Sequence, residues 1–180
     1  MTATHLAARR MDDSYFERAI LDDGTPVVVR PIRPADAPFL QACVRELSER
    51  TRYLRFHGPR SDLSASELRY FTEVDGEQHF VLTAFTLPRP RLVGAACFIR
   101  GSVAAAAAEV ALMIVDALQG KGLGQLLLSR LRDAALERSV TLFTGSMLEE
   151  NRQMRGLLRK LGGRIGVPSR GVCAVELALT

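Results

Sequence analysis

The chain has 180 residues, of which 47% are hydrophobic and 24% charged, with a formal net charge of +4. That is ordinary globular usage for one compact domain, and it excludes a disordered, collagen-like or disulfide-framework chain. The Lys and Arg residues are scattered and no Trp is present among 6% aromatics, so no clustered basic face or stacking platform supports nucleic-acid binding.

Residues 1–25 are polar and mixed and end in the turn signal Asp22-Asp23-Gly24-Thr25-Pro26. They read as a partly mobile N-terminal arm, with the folded domain spanning 26–180. The opening MTATHLAARRMDD lacks the apolar stretch of a signal peptide. Val27–Ile32 is a short β-branched strand in which Pro31 marks an edge or a strand end. Pro34-Ala35-Asp36-Ala37 opens a helix to about Leu47, with Phe39, Leu40, Cys43, Val44 and Leu47 on one stripe. Arg52–Gly58 is basic and aromatic. It reads as a surface loop that tucks Tyr53, Leu54 and Phe56 under the sheet, with a border to a functional site as the less favoured reading. A second helix follows, capped by Ser64 or Ser66 with Glu67 in its first turn.

His79–Thr86 and Arg91–Ile99 read as a hairpin around Leu87-Pro88-Arg89-Pro90, and Glu109–Val115 as a third strand of the same run. The most apolar segment, Val103–Leu118, is broken by Glu109 and Asp116 and is too short to cross a bilayer, so no membrane contact is expected. From Gly122 the period becomes helical, with Leu123, Leu126, Leu127, Leu131, Ala134 and Ala135 on one face. Val140–Gly145 is the next strand, parallel to the one before the helix by the crossover rule, so 109–145 form a β-α-β unit. Asn151–Leu161 is helical and Gly162-Gly163 stops it; Arg164–Val167 and Gly171–Leu179 make a final strand pair. The fold class is α/β (α+β), a single domain whose mixed sheet has about seven strands, with four helices and a central β-α-β unit.

Cys43, Cys97 and Cys173 lie far apart among apolar neighbours and are expected to be reduced core thiols, which suits a cytoplasmic address. His5, His57 and His79 show no metal-ligand spacing, so no metal site is expected.

The segment richest in chemistry is Gln119-Gly120-Lys121-Gly122-Leu123-Gly124. It sets a glycine-dense turn between a buried strand and the first turn of a long helix, where orphan backbone N–H groups and the helix dipole favour an anion. Glycines at 120, 122 and 124 remove the Cβ atoms that would hold a phosphate away, and Lys121 adds a mobile cation. The dinucleotide pattern fails because residue 125 is Gln, and no GK[ST] exists here for a P-loop.

This loop, with Val115 four residues upstream, resembles the [Q/R]-x-x-G-x-[G/A] loop of the GNAT superfamily of acetyl-CoA-dependent N-acetyltransferases. The element order over 27–179 is similar to the whole GNAT fold. The resemblance implies acetyl-CoA as donor, with the N–H groups of Gln119, Gly120, Lys121, Gly122, Leu123, Gly124 and Gln125 on its pyrophosphate. Ile114 and Val115 would bind the pantetheine arm, and Asn151 matches a second cofactor contact, though Asn at a helix start is also a good N-cap.

Transfer to an amine needs a base, because a lysine-like amine is protonated at neutral pH. Glu109 is the candidate: it is the only charge between Val103 and Val115, on a strand expected to be largely buried, and it resembles the glutamate of lysine-modifying members. Many members carry a Tyr about seven residues after the motif Asn as acid for the thiolate; here Leu158 stands there, and that role is unassigned. Leu21–Pro26, Arg30–Asp36 and Arg52–Phe56 resemble bacterial protein-lysine acetyltransferases. The acceptor implied is a protein lysine, with a small amine, or a non-catalytic acyl-CoA sensor, as alternatives. The chain is expected to be a monomer or homodimer.

Overall fold

The computed structural model describes residues 10–179. In chain order the elements are β1 (Glu17–Ile20), β2 (Pro26–Pro31), α1 (Ala37–Glu46), α2 (Glu49–Phe56), α3 (Ala65–Thr72), β3 (His79–Thr86) and β4 (Leu92–Ile99). They continue with β5 (Ala107–Ile114), α4 (Leu123–Glu137), β6 (Leu142–Leu148), α5 (Arg152–Lys160), β7 (Arg164–Ile165) and β8 (Val172–Ala178). The strands form one mixed sheet in the order β1-β2-β3-β4-β5-β6-β8-β7. Every neighbouring pair is antiparallel except β5 and β6, which run parallel on either side of α4 as the crossover reading requires. Among the described residues, no helix is long and apolar enough to cross a membrane.

The sheet alternation sorts the helices. Gly94 of β4 turns its α-carbon toward Leu123 and Leu127 of α4, whereas Ala95 and Cys97 line a small apolar cavity with Leu40 and Val44 of α1. Residues of opposite parity point to opposite faces, so α1 and α4 cover opposite faces of β4. Leu127, Leu131, Ala134 and Ala135 of α4 are wholly buried, as their helical stripe requires. Ser64 caps α3 in a reciprocal box with Glu67.

Two expectations are corrected. From residue 10 onward the N-terminal arm belongs to the fold: Met11, Tyr15 and Leu21 are buried, and β1 adds an eighth strand beside β2. Polar ties hold it, which is why apolar periodicity does not reveal it. Glu17 takes the Arg130 guanidinium at 2.7 Å, and the Met11 N–H donates to Glu137 at 2.9 Å. Residues 1–9 of that arm lie outside the described residues. Second, Arg52–Phe56 is not a loop but the body of α2, a fifth helix, whose N-cap Ser48 accepts the Thr51 N–H and whose end is the left-handed His57. Of the two readings open for Pro31 the strand end holds, since it closes β2, which lies between β1 and β3.

Leu127 is buried on every side beneath β4. Leu127→Ala should cost about 3 kcal/mol, the range for deleting a core leucine, read as a lower denaturant midpoint with unchanged slope.

Candidate functional site

β5 and β6 pair only at Ala107, Ala108 and Glu109, facing Leu142, Phe143 and Thr144; beyond that rung they diverge while β5 runs on to Ile114. The Val115 N–H bonds the Val93 carbonyl on the β4 side at 2.9 Å. In an antiparallel ladder alternate residues serve opposite edges, so Leu112 and Ile114 direct their N–H and C=O groups away from β4, into the gap. The Ile114 carbonyl there accepts Nε2 of Gln119 at 2.9 Å. The gap opens into a cavity of about 340 Å³ walled by β5, the 119–125 loop, the start of α5, and Thr51, Leu54 and Arg55 of α2.

The loop has the backbone that its glycines permit. Gly120 and Gly122 have φ of +72° and +84°, the left-handed region that costs other residues strain. A Cβ on Gly122 would also stand 3.0 Å from the Asp22 carboxylate. One on Gly124 would stand 3.1 Å from Leu157 and 3.3 Å from Ile114. Gly122 is the N-cap of α4 without a side-chain cap, and the first helical bond runs from the Leu126 N–H to its carbonyl. The N–H groups of Leu123, Gly124 and Gln125 therefore have no intrahelical acceptor and form the positive end of the helix.

Of the residues singled out from sequence, Ile114, Gln119, Gly120, Gly122, Gly124, Gln125 and Asn151 line the cavity. Leu123 has its side chain in the core, so only its backbone can serve the loop. Val115 is fully buried with its N–H committed to Val93, and the Gln119 N–H bonds the Asp116 carbonyl at 3.2 Å, so neither amide is available to a ligand. Lys121 is not the mobile cation expected: its ammonium pairs with Asp23 at 2.7 Å, and that contact together with Thr25 holds the Asp23 carboxyl down at about 2. Asn151 caps α5, its Oδ1 accepting the Met154 N–H at 3.1 Å.

Glu109 sits on the last paired rung of β5, exposed and outside the cavity lining. The burial expected for it is absent, because the strand emerges from the core at that end. Its parity places it with Ala111 and Met113 on the face toward α1. Burial pushes the Cys97 thiol up; Arg55 opposes that and Glu109 reinforces it, so both charges act at this part of the sheet. Cys43, Cys97 and Cys173 are buried free thiols, with Cys43 raised to about 12 by burial. Leu158 packs with Met147, Cys173 and Val175, and Tyr15, Tyr53 and Tyr70 all lie outside the cavity lining.

Sequence reasoning missed Asp116. Its carboxylate accepts the Ser48 N–H at 2.9 Å, the Ser48 hydroxyl at 2.6 Å and the Thr51 hydroxyl at 2.8 Å. Gln119 Nε2 also reaches Thr51 Oγ1 at 3.3 Å. This cluster fastens the start of α2 to the turn that carries the loop. Burial works to raise the Asp116 carboxyl, but the hydrogen bonds from Ser48 and Thr51 outweigh it and leave it below its usual value. The sole local hint is Ser48 as a helix cap; nothing in the pattern connects it to a residue 68 positions away.

The family model described as an acetyltransferase (GNAT) domain matches residues 27–164. This chain belongs to the GNAT acetyltransferase family. Acetyl-CoA is the acetyl donor of GNAT enzymes, and the eight-stranded sheet with its diverging β5 and β6 is a GNAT fold. The chain is similar to acetyltransferase Pat of Mycolicibacterium smegmatis, 33% identical over 134 residues that cover 74% of this chain and 40% of that protein. It is similar to acetyltransferase PA5475 of Pseudomonas aeruginosa, 32% identical over 148 residues, 79% of this chain and 77% of that one. It also resembles the solved GNAT domain of S. lividans PAT, with a TM-score of 0.84 and 27% identity over 91% of this chain and 97% of that one. The chain thus spans less than half the length of the mycobacterial relative it matches.

Asp116→Ala should lower stability by about 1 kcal/mol, the value for hydrogen bonds to an exposed carboxylate. A depressed folded-state value means this stabilisation is complete above the ordinary carboxyl value of 3.8 and fades as pH falls through the folded one. Thermal unfolding of wild type and variant should therefore differ at neutral pH and converge in acid.

Proposed function

We propose that this chain transfers the acetyl group of acetyl-CoA to a protein lysine by direct attack within a ternary complex, with Glu109 taking the proton of the amine. The observation that carries the reading is the cradle of free helix N–H groups at the end of the β5–β6 gap, where a Cβ at Gly122 would crowd Asp22 and one at Gly124 would crowd Leu157 and Ile114. Such a cradle suits a diphosphate, and it recognises it through backbone dipoles because Lys121 is already paired. The unpaired edge of β5 offers amide groups at Leu112 and Ile114 to the pantetheine arm, as a strand would. Gly120, Gly122, Leu123, Gly124 and Gln125 then hold the diphosphate. Gln119 holds the turn through its side chain, and Asn151 completes the wall from α5.

The geometry of Glu109 favours a macromolecular acceptor. Its carboxylate is exposed at the open end of the strand, outside the lining of the large cavity, and so is open to a lysine stem from solvent. The likeness to the two bacterial acetyltransferases and to the GNAT domain of S. lividans PAT supports acetyl transfer. Glu109 lies about 10 Å along β5 from Leu112, so the proton passes through water before it reaches the carboxylate. Without a tyrosine in the cavity lining, the thiolate departs unprotonated and is quenched by solvent. Three buried free thiols fit a reducing, cytoplasmic setting.

Two substitutions test the two halves of this reading. Gly122→Val should weaken acetyl-CoA binding at least tenfold by calorimetry, since the position is left-handed and its Cβ direction is filled by Asp22. A normal dissociation constant would contradict the cradle. Glu109→Gln should leave that constant unchanged while slowing thiol release with a lysine-bearing protein by about a hundredfold and flattening its pH profile. A wild-type rate would remove Glu109 from the reaction.

A further inference from the structure

Interior arginines in this protein are matched to acceptors. Arg30 forks onto Asp36 at 2.7 Å, and Arg130 meets Glu17 at 2.7 Å. Arg100 takes the carbonyls of Glu77, Val103 and Arg138, while Arg138 takes those of Gly76, Ala134 and Met11. Arg55 is different. Its Nε is buried with no hydrogen-bond partner in the protein, and its guanidinium lies over the Phe56 ring, 5.1 Å from the centroid. A buried donor left unmatched is destabilising, more so on a charged group, so folding alone does not account for it.

Its location points to a role. Arg55 lines the large cavity together with Leu112, Met113 and Ile114, and it also lines the small apolar cavity of Ala95, Cys97 and Ala111 behind it. It therefore stands where the two spaces meet, opposite the middle of β5. That is the stretch between the diphosphate cradle at one end and Glu109 at the other. Its helix does not drift, because Ser48 and Thr51 bind α2 to Asp116.

Building on the acetyl-transfer reading above, we infer that Arg55 is a catalytic residue: its guanidinium donates to the thioester carbonyl oxygen, across from the backbone N–H of the β5 edge, as negative charge collects there. The amine nitrogen forms the C–N bond while the carbonyl π pair moves onto oxygen, and the amine proton passes through water to Glu109. The oxygen pair then restores C=O, the C–S bond breaks, and its electrons leave on sulfur. Arg55 contributes a hydrogen bond and transfers no proton in this step. A fixed cation beside that oxygen stabilises the developing negative charge far more than it stabilises the neutral thioester. The choice of oxygen over phosphate follows from placement, since the diphosphate has its own cradle at the other end of the gap.

The test uses the full chain, acetyl-CoA and the best amine from a panel of lysine-bearing proteins and small amines, with thiol release as readout. Arg55→Ala should lower kcat at least a hundredfold, and Arg55→Lys should recover part of it, the range for losing one oxyanion donor. The KM for the amine and the calorimetric dissociation constant for acetyl-CoA should stay within about threefold of wild type. Millimolar methylguanidinium should restore at least a tenfold rate to Arg55→Ala and nothing to Glu109→Gln. An unchanged kcat overturns the inference. So does a loss confined to the amine KM, which would make Arg55 an acceptor contact, or a weakened acetyl-CoA constant, which would make it a phosphate contact. If Arg55→Ala does not fold by thermal unfolding, Arg55→Gln and Arg55→Lys carry the same comparison. A wild-type protein that binds acetyl-CoA yet releases no thiol with any amine overturns the acetyl-transfer reading and this inference together; an active wild type with an equally active Arg55 variant overturns this inference alone.

Discussion

The parting of β5 from β6 after the Glu109–Thr144 rung is the constraint from which the rest of the site follows. A parallel pair that stayed zipped would consume the outward N–H and C=O groups of Leu112 and Ile114 in ladder bonds and leave no cavity. Unzipped, those groups need other partners, since backbone polar groups away from water are rarely left unmatched. One is satisfied internally, where the Ile114 carbonyl takes the Gln119 side chain, and that bond sets the turn into α4. The remaining edge behaves as an unfinished strand, ready for an extended ligand with amide groups of its own. β6 can leave because β8 pairs along its whole length from Leu142 to Leu148, so its departure strands no groups on the far side.

The charge arrangement around the loop is unexpected for a site that receives a diphosphate. Asp22 lines the cavity and faces Gly122, its N–H donates to the Lys121 carbonyl at 3.2 Å, and Asp23 occupies the Lys121 ammonium. An acidic turn thus lies against the very residues that an anion approaches. Attraction must then come from the short-range, oriented N–H groups of the α4 terminus, whose effect is confined to the first helical turn. Geometry rather than net charge decides the recognition, which is why the glycines matter more than the lysine between them.

The parts of the fold legible in sequence are those governed by apolar periodicity and turn chemistry. α4 is readable because Leu123, Leu127, Leu131, Ala134 and Ala135 keep a helical stripe, and the β3–β4 hairpin because two apolar runs flank a proline-rich turn. The glycine loop is readable because φ of +72° and +84° leaves glycine few substitutes. What escaped was written in polar contacts across long separations. β1 is held by the Glu17–Arg130 pair and carries an alternation in which no residue is fully buried, so it looks like a tail. α2 has no fully buried residue either, so its basic and aromatic side chains read as a loop; its Ser48 cap and Glu49 were the available signal. The burial expected for Glu109 follows from the apolar run Val103–Leu118 around it, which suggests a buried strand, whereas β5 begins at Ala107 and that end of it is exposed.

α2 then links the two halves of the proposed chemistry. Its first turn is tied through Ser48 and Thr51 to Asp116, two residues beyond the end of β5, and its last turn presents Leu54 and Arg55 to the cavity. A ligand gripped by the loop is therefore referenced to the same short turn that positions the opposing wall. Holding reacting groups within a fraction of an ångström is worth more to an acyl transfer than any single added contact, because misplacement of about 1 Å can cost a hundredfold in rate. A carboxylate with three hydrogen-bond donors, set at the hinge between strand and loop, supplies that rigidity with a single residue and without a large apolar interface, which suits a helix that must stay half exposed to admit an acceptor.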